Sequence, residues 1–201
     1  MMRKAASSIF EGDGGAALKP LEIVIDLACD GWRDAIPTAE ELSRRAAQAA
    51  LAGISAPCGG ELSLVLADDA TVRALNRDWR HIDAPTNVLS FPGAVPDDSD
   101  GPVPNGIPVN DAPPLLLGDV IVALETTQAE ALRDGKALAD HLSHLIVHGT
   151  LHLRGYDHEN DADAEEMEAL ETTILKGLGI VDPYDGMPAD GDRLTGVGDD
   201  G

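Results

Sequence analysis

Residues 136–158 read KALADHLSHLIVHGTLHLRGYDH, a stretch that we predict to form the long central helix of the fold and the turn after it. The helix is expected to run from about Lys136 to His152. Gly155 can end it by taking a left-handed backbone conformation, which glycine adopts without steric cost. The chain then folds back, so that His158 can return to the end of the helix.

Five of the six histidines lie between residues 141 and 158. His148 and His152 are four residues apart, so they share one face of a helix and can bind the same ion. His158 can supply a third ligand after the turn. Three neutral imidazoles and a water are the arrangement of a catalytic zinc site with an open position. We therefore predict one Zn2+ ion bound by His148, His152 and His158.

The same H-x3-H-x5-H spacing also occurs in metzincin proteases, which carry a glutamate directly after the first histidine as general base. Gly149 stands at that position here, so a peptidase would lack its base and is disfavoured. His141 and His144 share a helical face with His148, and either could support the metal ligands. For His141 we favour a structural role.

Apolar alternation and helical spacing predict the elements on either side of this stretch. Thr38 and Glu41 form a capping-box pattern, and Asp68 or Asp69 can cap a later helix. The predicted strands are Leu21–Leu27, Glu61–Leu66, Asn87–Phe91 and Leu115–Ala123, and the other predicted helices span about 38–52, 68–79 and 163–178. This order indicates an α+β fold with a small mixed β-sheet packed with helices.

We expect a single catalytic domain at residues 21–184, flanked by two disordered ends. Residues 1–20 are small and rich in Gly and Ala, and residues 185–201 form an acidic tail. Residues 93–114 contain six prolines and three glycines, which predicts a long loop inside the domain.

The formal net charge of −22 argues against nucleic-acid binding at first sight, because phosphate contacts need Lys and Arg. Segments 93–113, 157–171 and 182–201 carry 18 of the 36 acidic residues but one of the 14 basic ones. The net charge of the rest of the chain is close to zero, so a local basic site is possible. Aromatic residues are only 3% of the chain, which disfavours a single-strand binder built on an aromatic platform.

The sequence contains no run of 18 apolar residues and no secretory signal pattern, so we expect no membrane association. Cys29 and Cys58 form no CxxC motif, and a disulfide framework is unsupported. These features predict a reduced, cytoplasmic protein.

The most basic patch is the predicted helix within DDATVRALNRDWRH, residues 68–81. Its basic face carries Arg73, Arg77 and Arg80. Its apolar face, which we expect to pack in the core, carries Val72, Leu75 and Trp79. An arginine fork matches a phosphate, and an arginine near a metal-activated water suits phosphodiester cleavage. For Arg73 and Arg77 a solvated helix face explains the pattern equally well.

Four regions of the sequence resemble the YbeY family of bacterial metal-dependent endoribonucleases. They are HGTLHLRGYDH (148–158), EEMEALET (165–172) with DPY (182–184), LNRDWR (75–80) leading into PTNVLSFP (85–92), and LGDVIV (117–122). The first is highly specific, and the resemblance extends over roughly residues 21–184. The N-terminal extension, the 93–114 insertion and the acidic tail depart from the family, and Asn87 stands where many members have Asp.

The resemblance implies a zinc ion held by His148, His152 and His158, with Arg80 as the important cation of its helix. It also implies a single-stranded RNA substrate, no DNA substrate, and a role in rRNA processing at the 3′ end of 16S rRNA. Ribosome quality control, with the small ribosomal subunit and its associated proteins as partners, is implied as well. The alternative is a non-catalytic ribosome-assembly factor with a structural zinc, because no carboxylate base adjoins the first histidine.

Overall fold

The computed structural model describes residues 21–54, 60–93, 116–156, 158 and 160–181. Within these residues there are four strands and six helices: β1 (Leu21–Asp26), α1 (Gly31–Ala35), α2 (Ala39–Gly53), β2 (Gly60–Ala67), α3 (Asp69–Arg80), β3 (Val88–Pro92), β4 (Leu116–Ala123), α4 (Leu124–Arg133), α5 (Leu138–His152) and α6 (Asp161–Gly177). None of these helices is long and apolar enough to cross a membrane. The proposed disordered ends and all but the first residue of the 93–114 loop lie outside the described residues.

The strands form one mixed sheet in the order β1-β2-β4-β3. β1, β2 and β4 run parallel, and β3 pairs antiparallel with β4 at the edge. Parallel neighbours need long crossover connections, and helices supply them here: α1 and α2 join β1 to β2. The predicted α+β fold with a small mixed sheet is confirmed.

Helices pack on both faces of the sheet. Leu62, Leu64 and Leu66 of β2 point into the larger core, which they share with α2, α5 and α6. Val65 of β2 points the other way, where it packs against a smaller cluster that contains Val72 of α3. Because successive strand residues point to opposite faces, α3 lies across the sheet from α5.

The helix α5 is the most deeply buried element of the larger core. Every residue from His141 to Leu151 is buried, and the helix packs against α2, α4, α6, β3 and β4. A helix enclosed on all sides is normally apolar throughout. This one also buries His141, His144 and His148, whose ring nitrogens need polar partners inside the core.

The expectation that Trp79 packs in the core is wrong, since the residue is 71% exposed. It lies in the last turn of α3, beside β3, the edge strand of the sheet. Phe91 of β3 meets the indole edge-on, with the ring centroids 6.0 Å apart. Beyond β3 the described part of the chain has no further strand that could cover the indole.

Other local predictions have mixed outcomes. The Asp68 side chain caps α3 by accepting a hydrogen bond from the Thr71 amide at 2.8 Å, as predicted. The Thr38 side chain makes no capping hydrogen bond, because its backbone (φ −102°, ψ 19°) is not in the extended conformation of a side-chain cap. The sequence patterns missed α1, which has only five residues, and α4, which starts directly after β4 without a side-chain cap.

Gly149 marks a close approach between α5 and the sheet. A methyl group on its Cα would lie 2.7 Å from Val120 Cγ1 and 2.9 Å from Ser90 Oγ. The Ser90 hydroxyl donates a hydrogen bond to the Gly149 carbonyl at 3.1 Å. Packing against β3 and β4 therefore requires glycine at the position where a metzincin would carry its glutamate.

We predict that Gly149→Ala lowers the free energy of unfolding by about 1–3 kcal/mol, the usual cost of overpacking a core. The matched control is Gly177→Ala in α6, where an added methyl meets no atom within 4 Å. This control should be neutral or stabilising by up to about 1 kcal/mol, because alanine favours helix. Urea unfolding of both variants tests the comparison, and equal stabilities would contradict the close approach.

Candidate metal centre

The helix α5 carries four histidines at successive turns: His141, His144, His148 and His152. Neighbouring ring centroids along this row are 6.1, 6.3 and 4.5 Å apart. The first three residues are buried and His152 is partly exposed. The row therefore leads from the core to the surface at the C-terminal end of α5.

The chain turns after α5 at Gly155, which has the predicted left-handed conformation at φ +82°. His158 returns to the helix end, with its ring centroid 5.1 Å from that of His152 and 5.7 Å from that of His148. One ring nitrogen from each of His148, His152 and His158 lies within 4.8 Å of the other two. These three residues form a cluster that opens toward solvent, because His152 and His158 are only half-buried.

Glu171 of α6 lies fully buried behind this cluster. Its Oε1 is 2.7 Å from His148 Nδ1, and its Oε2 is 3.3 Å from His144 Nε2. An ionised carboxylate only accepts hydrogen bonds, so Nδ1 of His148 carries the proton and Nε2 keeps its lone pair. That Nε2 lies 3.0 Å from Nε2 of His152. Glu171 thus sets the tautomer and the orientation of the His148 ring.

The electrostatics of this site favour a bound cation. Burial by itself raises the pKa of the Glu171 carboxyl, but hydrogen bonds from His144 and His148 hold that pKa well below its usual range. Burial lowers the pKa of His144 despite the hydrogen bond to Glu171, so this imidazole is neutral at pH 7. A full negative charge is therefore buried beside the three-histidine cluster, and a positive ion there would compensate it.

The donor set fits a divalent transition metal. Imidazole nitrogens suit zinc, and they also suit nickel and copper. Zinc holds nitrogen ligands at about 2.0–2.1 Å, which in a tetrahedral site places them about 3.4 Å from one another. One nitrogen of each of the three rings already lies within 4.8 Å of the other two, and three ligands would leave a fourth position open.

His141 belongs to a different polar cluster. Its Nε2 is 2.8 Å from Glu130 of α4, and the Asn87 amide donates to both Glu130 oxygens at 3.1 and 3.2 Å. Burial raises the pKa of Glu130, but the hydrogen bonds from His141 and Asn87 outweigh it and lower the pKa overall. The cluster joins α4, α5 and the start of β3, which agrees with a structural role for His141.

The three arginines of α3 lie in different surroundings. Arg73 forms an exposed, two-pronged ion pair with Asp83, and Arg77 pairs with the neighbouring Asp78. Arg80 is half-buried and is the last residue of α3.

Glu171 is the residue of this site that the sequence analysis missed. The apolar residues of α6 recur at helical spacing, and Glu171 lies four residues after the buried Met167. A glutamate on the core-facing side of an amphipathic helix needs a partner in the core. A glutamate at a core-facing position of α6 was therefore the feature of the sequence that could have indicated this site.

Comparison with known proteins gives one consistent family. The endoribonuclease YbeY family profile matches residues 30–179. A protein named endoribonuclease YbeY from Paramagnetospirillum magneticum is 59% identical over 165 residues, which cover 82% of this chain and 96% of the relative. A protein of the same name from Azorhizobium caulinodans is 53% identical, over 85% of this chain and all of the relative.

The solution structure of a Thermotoga maritima protein has a similar fold. It superposes with a TM-score of 0.52 at 22% sequence identity, covering 85% of this chain and 99% of that protein. At this identity the likeness concerns the fold alone.

We predict that Glu171→Gln weakens the binding of a divalent metal by about 10- to 100-fold, the usual effect of altering a carboxylate behind a ligating histidine. The amide keeps the shape of the side chain but removes its charge, so the fold should be retained. Glu166→Gln, an exposed position on the same helix, is the control and should bind metal like the wild type. Competition with a chromogenic chelator measures the affinities, and equal values for both variants would contradict this role of Glu171.

Proposed function

The chain belongs to the YbeY endoribonuclease family, and from that premise we propose that it is a zinc-dependent endoribonuclease specific for single-stranded RNA. Its role is in rRNA processing, at the 3′ end of 16S rRNA, and in ribosome quality control on the small ribosomal subunit in the cytoplasm. The observation that carries the proposal is the convergence of three histidines at the open end of α5, with the Glu171 carboxylate buried behind them.

His148, His152 and His158 would hold the zinc ion. When bound, such an ion supplies Lewis-acid activation of a water at neutral pH. His148 is kept in the ligating tautomer by Glu171, and the half-buried rings of His152 and His158 leave the solvent side accessible to an RNA strand.

Arg80 lies at the same end of the sheet as the histidines. Trp79, the residue before it, contacts Phe91 near the end of β3. Gly118 pairs with that end of β3, and a methyl group on Gly118 would lie 2.9 Å from Leu153, the residue after α5. The C-terminal ends of α3 and α5 therefore reach the same end of the sheet from opposite faces. A guanidinium there can bind a phosphate through two parallel hydrogen bonds.

The charge of the chain favours a single strand over a duplex. A duplex has a higher density of phosphates, and a protein with a net charge of −22 repels it more strongly. A flexible single strand can reach Arg80 at the end of α3 and then the histidine cluster with fewer phosphates near the acidic segment 157–171, which contains His158.

A second candidate function is that of a ribosome-assembly factor with a structural zinc. It is favoured by the surroundings of the histidines, because Gly149 follows the first ligand and Glu171 faces the core side of the cluster. Cleavage of RNA by the purified protein, abolished by a chelator and restored by added zinc, would exclude this alternative.

We predict that replacing any one of His148, His152 and His158 with Ala sharply reduces the zinc content of the purified protein. Imidazole must be neutral to bind a metal, so the zinc affinity of the wild type should also fall as the pH is lowered. Elemental analysis and a pH series of affinity measurements test both points. Full zinc occupancy in all three variants, or an affinity that is constant from pH 5 to 8, would refute histidine ligation.

We predict that Arg80→Ala lowers the turnover number for RNA by about two orders of magnitude, the scale for losing one preorganised group that stabilises charge. Arg80→Lys should restore only part of the activity, because an ammonium lacks the guanidinium fork. The zinc content should stay unchanged. Arg73→Ala is the control and should be mild, since Arg73 is engaged by Asp83. Wild-type turnover in Arg80→Ala would remove Arg80 from the reaction.

A further inference from the structure

The two tryptophans of the chain have opposite environments. Trp32 is fully buried, and its indole N–H donates to the Ala67 carbonyl at 2.9 Å. Trp79 is 71% exposed, yet it is held in place by the edge-on contact with Phe91. Phe91 and Leu75 in turn pack against the small core cluster under α3. An apolar strip thus runs outward from that cluster and ends in an exposed indole face.

This indole lies at the same end of the sheet as the three-histidine cluster, on the opposite face. Phe91 contacts Trp79, and the preceding residue, Ser90, donates its hydroxyl hydrogen bond to Gly149, the residue after His148. Two consecutive residues of β3, about 3.3 Å apart along the strand, therefore connect Trp79 with the three-histidine cluster. In the described part of the chain β3 is the edge strand, so a ligand can pass over it from Trp79 to the three-histidine cluster.

One cation adjoins Trp79 at the end of its helix. Of the three arginines of α3, Arg73 is paired with Asp83 and Arg77 with Asp78, and Arg80 is the last residue. Consecutive helix residues point in different directions, but Trp79 and Arg80 both belong to the last turn of α3. An extended ligand with a flat ring on the indole can therefore place a phosphate within reach of the Arg80 guanidinium. A nucleotide of single-stranded RNA offers both groups, and its base is free to stack.

We propose that Trp79 is a stacking site for one base of the RNA strand that is cleaved at the three-histidine cluster. This inference rests on the proposed function. Phe91 fixes the indole plane, and Arg80 holds the adjoining phosphate. One indole serves one base, which is consistent with the low aromatic content that disfavours a multi-base platform.

The experiment uses the metal-loaded full chain and a single-stranded oligoribonucleotide. Because Trp32 is buried, RNA-induced quenching of tryptophan emission reports on Trp79, and stopped flow records it in the first milliseconds after mixing. Affinity is measured by the anisotropy of the same oligoribonucleotide carrying fluorescein. The variants are Trp79→Ala, Trp79→Phe and, as a matched control, Leu132→Ala, which removes a residue of α4 that is 85% exposed.

We expect quenching in the wild type and a rise in Kd of roughly 5- to 150-fold in Trp79→Ala, the range for losing one base stack. Trp79→Phe should recover most of the affinity, and Leu132→Ala should bind like the wild type. Wild-type affinity in Trp79→Ala, with RNA cleavage intact, would overturn the stacking site, leave the proposed function standing and point to a protein partner for the indole. Quenching without any cleavage would instead refute the proposed function alone.

Discussion

The hydrogen bonds that Glu171 accepts from His144 and His148 are the interaction on which the candidate metal centre depends. They join α6 to α5 inside the core, where a lone carboxylate or a lone imidazole would be costly. The hydrogen bonds between the carboxylate and the imidazoles lower the free-energy cost of burying both kinds of group. The same bonds fix the His148 ring and leave one negative charge behind the open cluster, which is what a cation site requires.

A second constraint is the contact of α5 with the sheet. Gly149 lets the helix approach Val120 and Ser90 closely, one residue after His148. This contact sets the height of His148 above the edge of the sheet. Through Ser90 it also relates the histidines to the Phe91 and Trp79 rings on the other face. Packing, rather than the chemistry of a base, thus explains the glycine in the middle of the histidine motif.

The acidic character of the chain limits how RNA can approach. Half of the acidic residues lie in three segments, and one of these, 157–171, includes both His158 and Glu171. Under the proposed function, a single RNA strand would approach at the C-terminal end of α3, where the exposed Trp79 and Arg80 are consecutive residues. It would then cross β3 to reach the histidine cluster.

Local spacing and backbone preference are enough to predict the mixed α+β fold, the long central helix, the turn at Gly155 and the three candidate ligands. The sequence could not determine the partner of His148, since Glu171 is 23 residues away and only the packing of α6 on α5 brings the two together. The sequence pattern wrongly predicted that Trp79 lies in the core. Helical periodicity identifies the apolar face of a helix, but it does not show where the sheet beneath that face ends. Both points depend on the three-dimensional packing, since the burial of one side chain is set by elements that are distant in the chain.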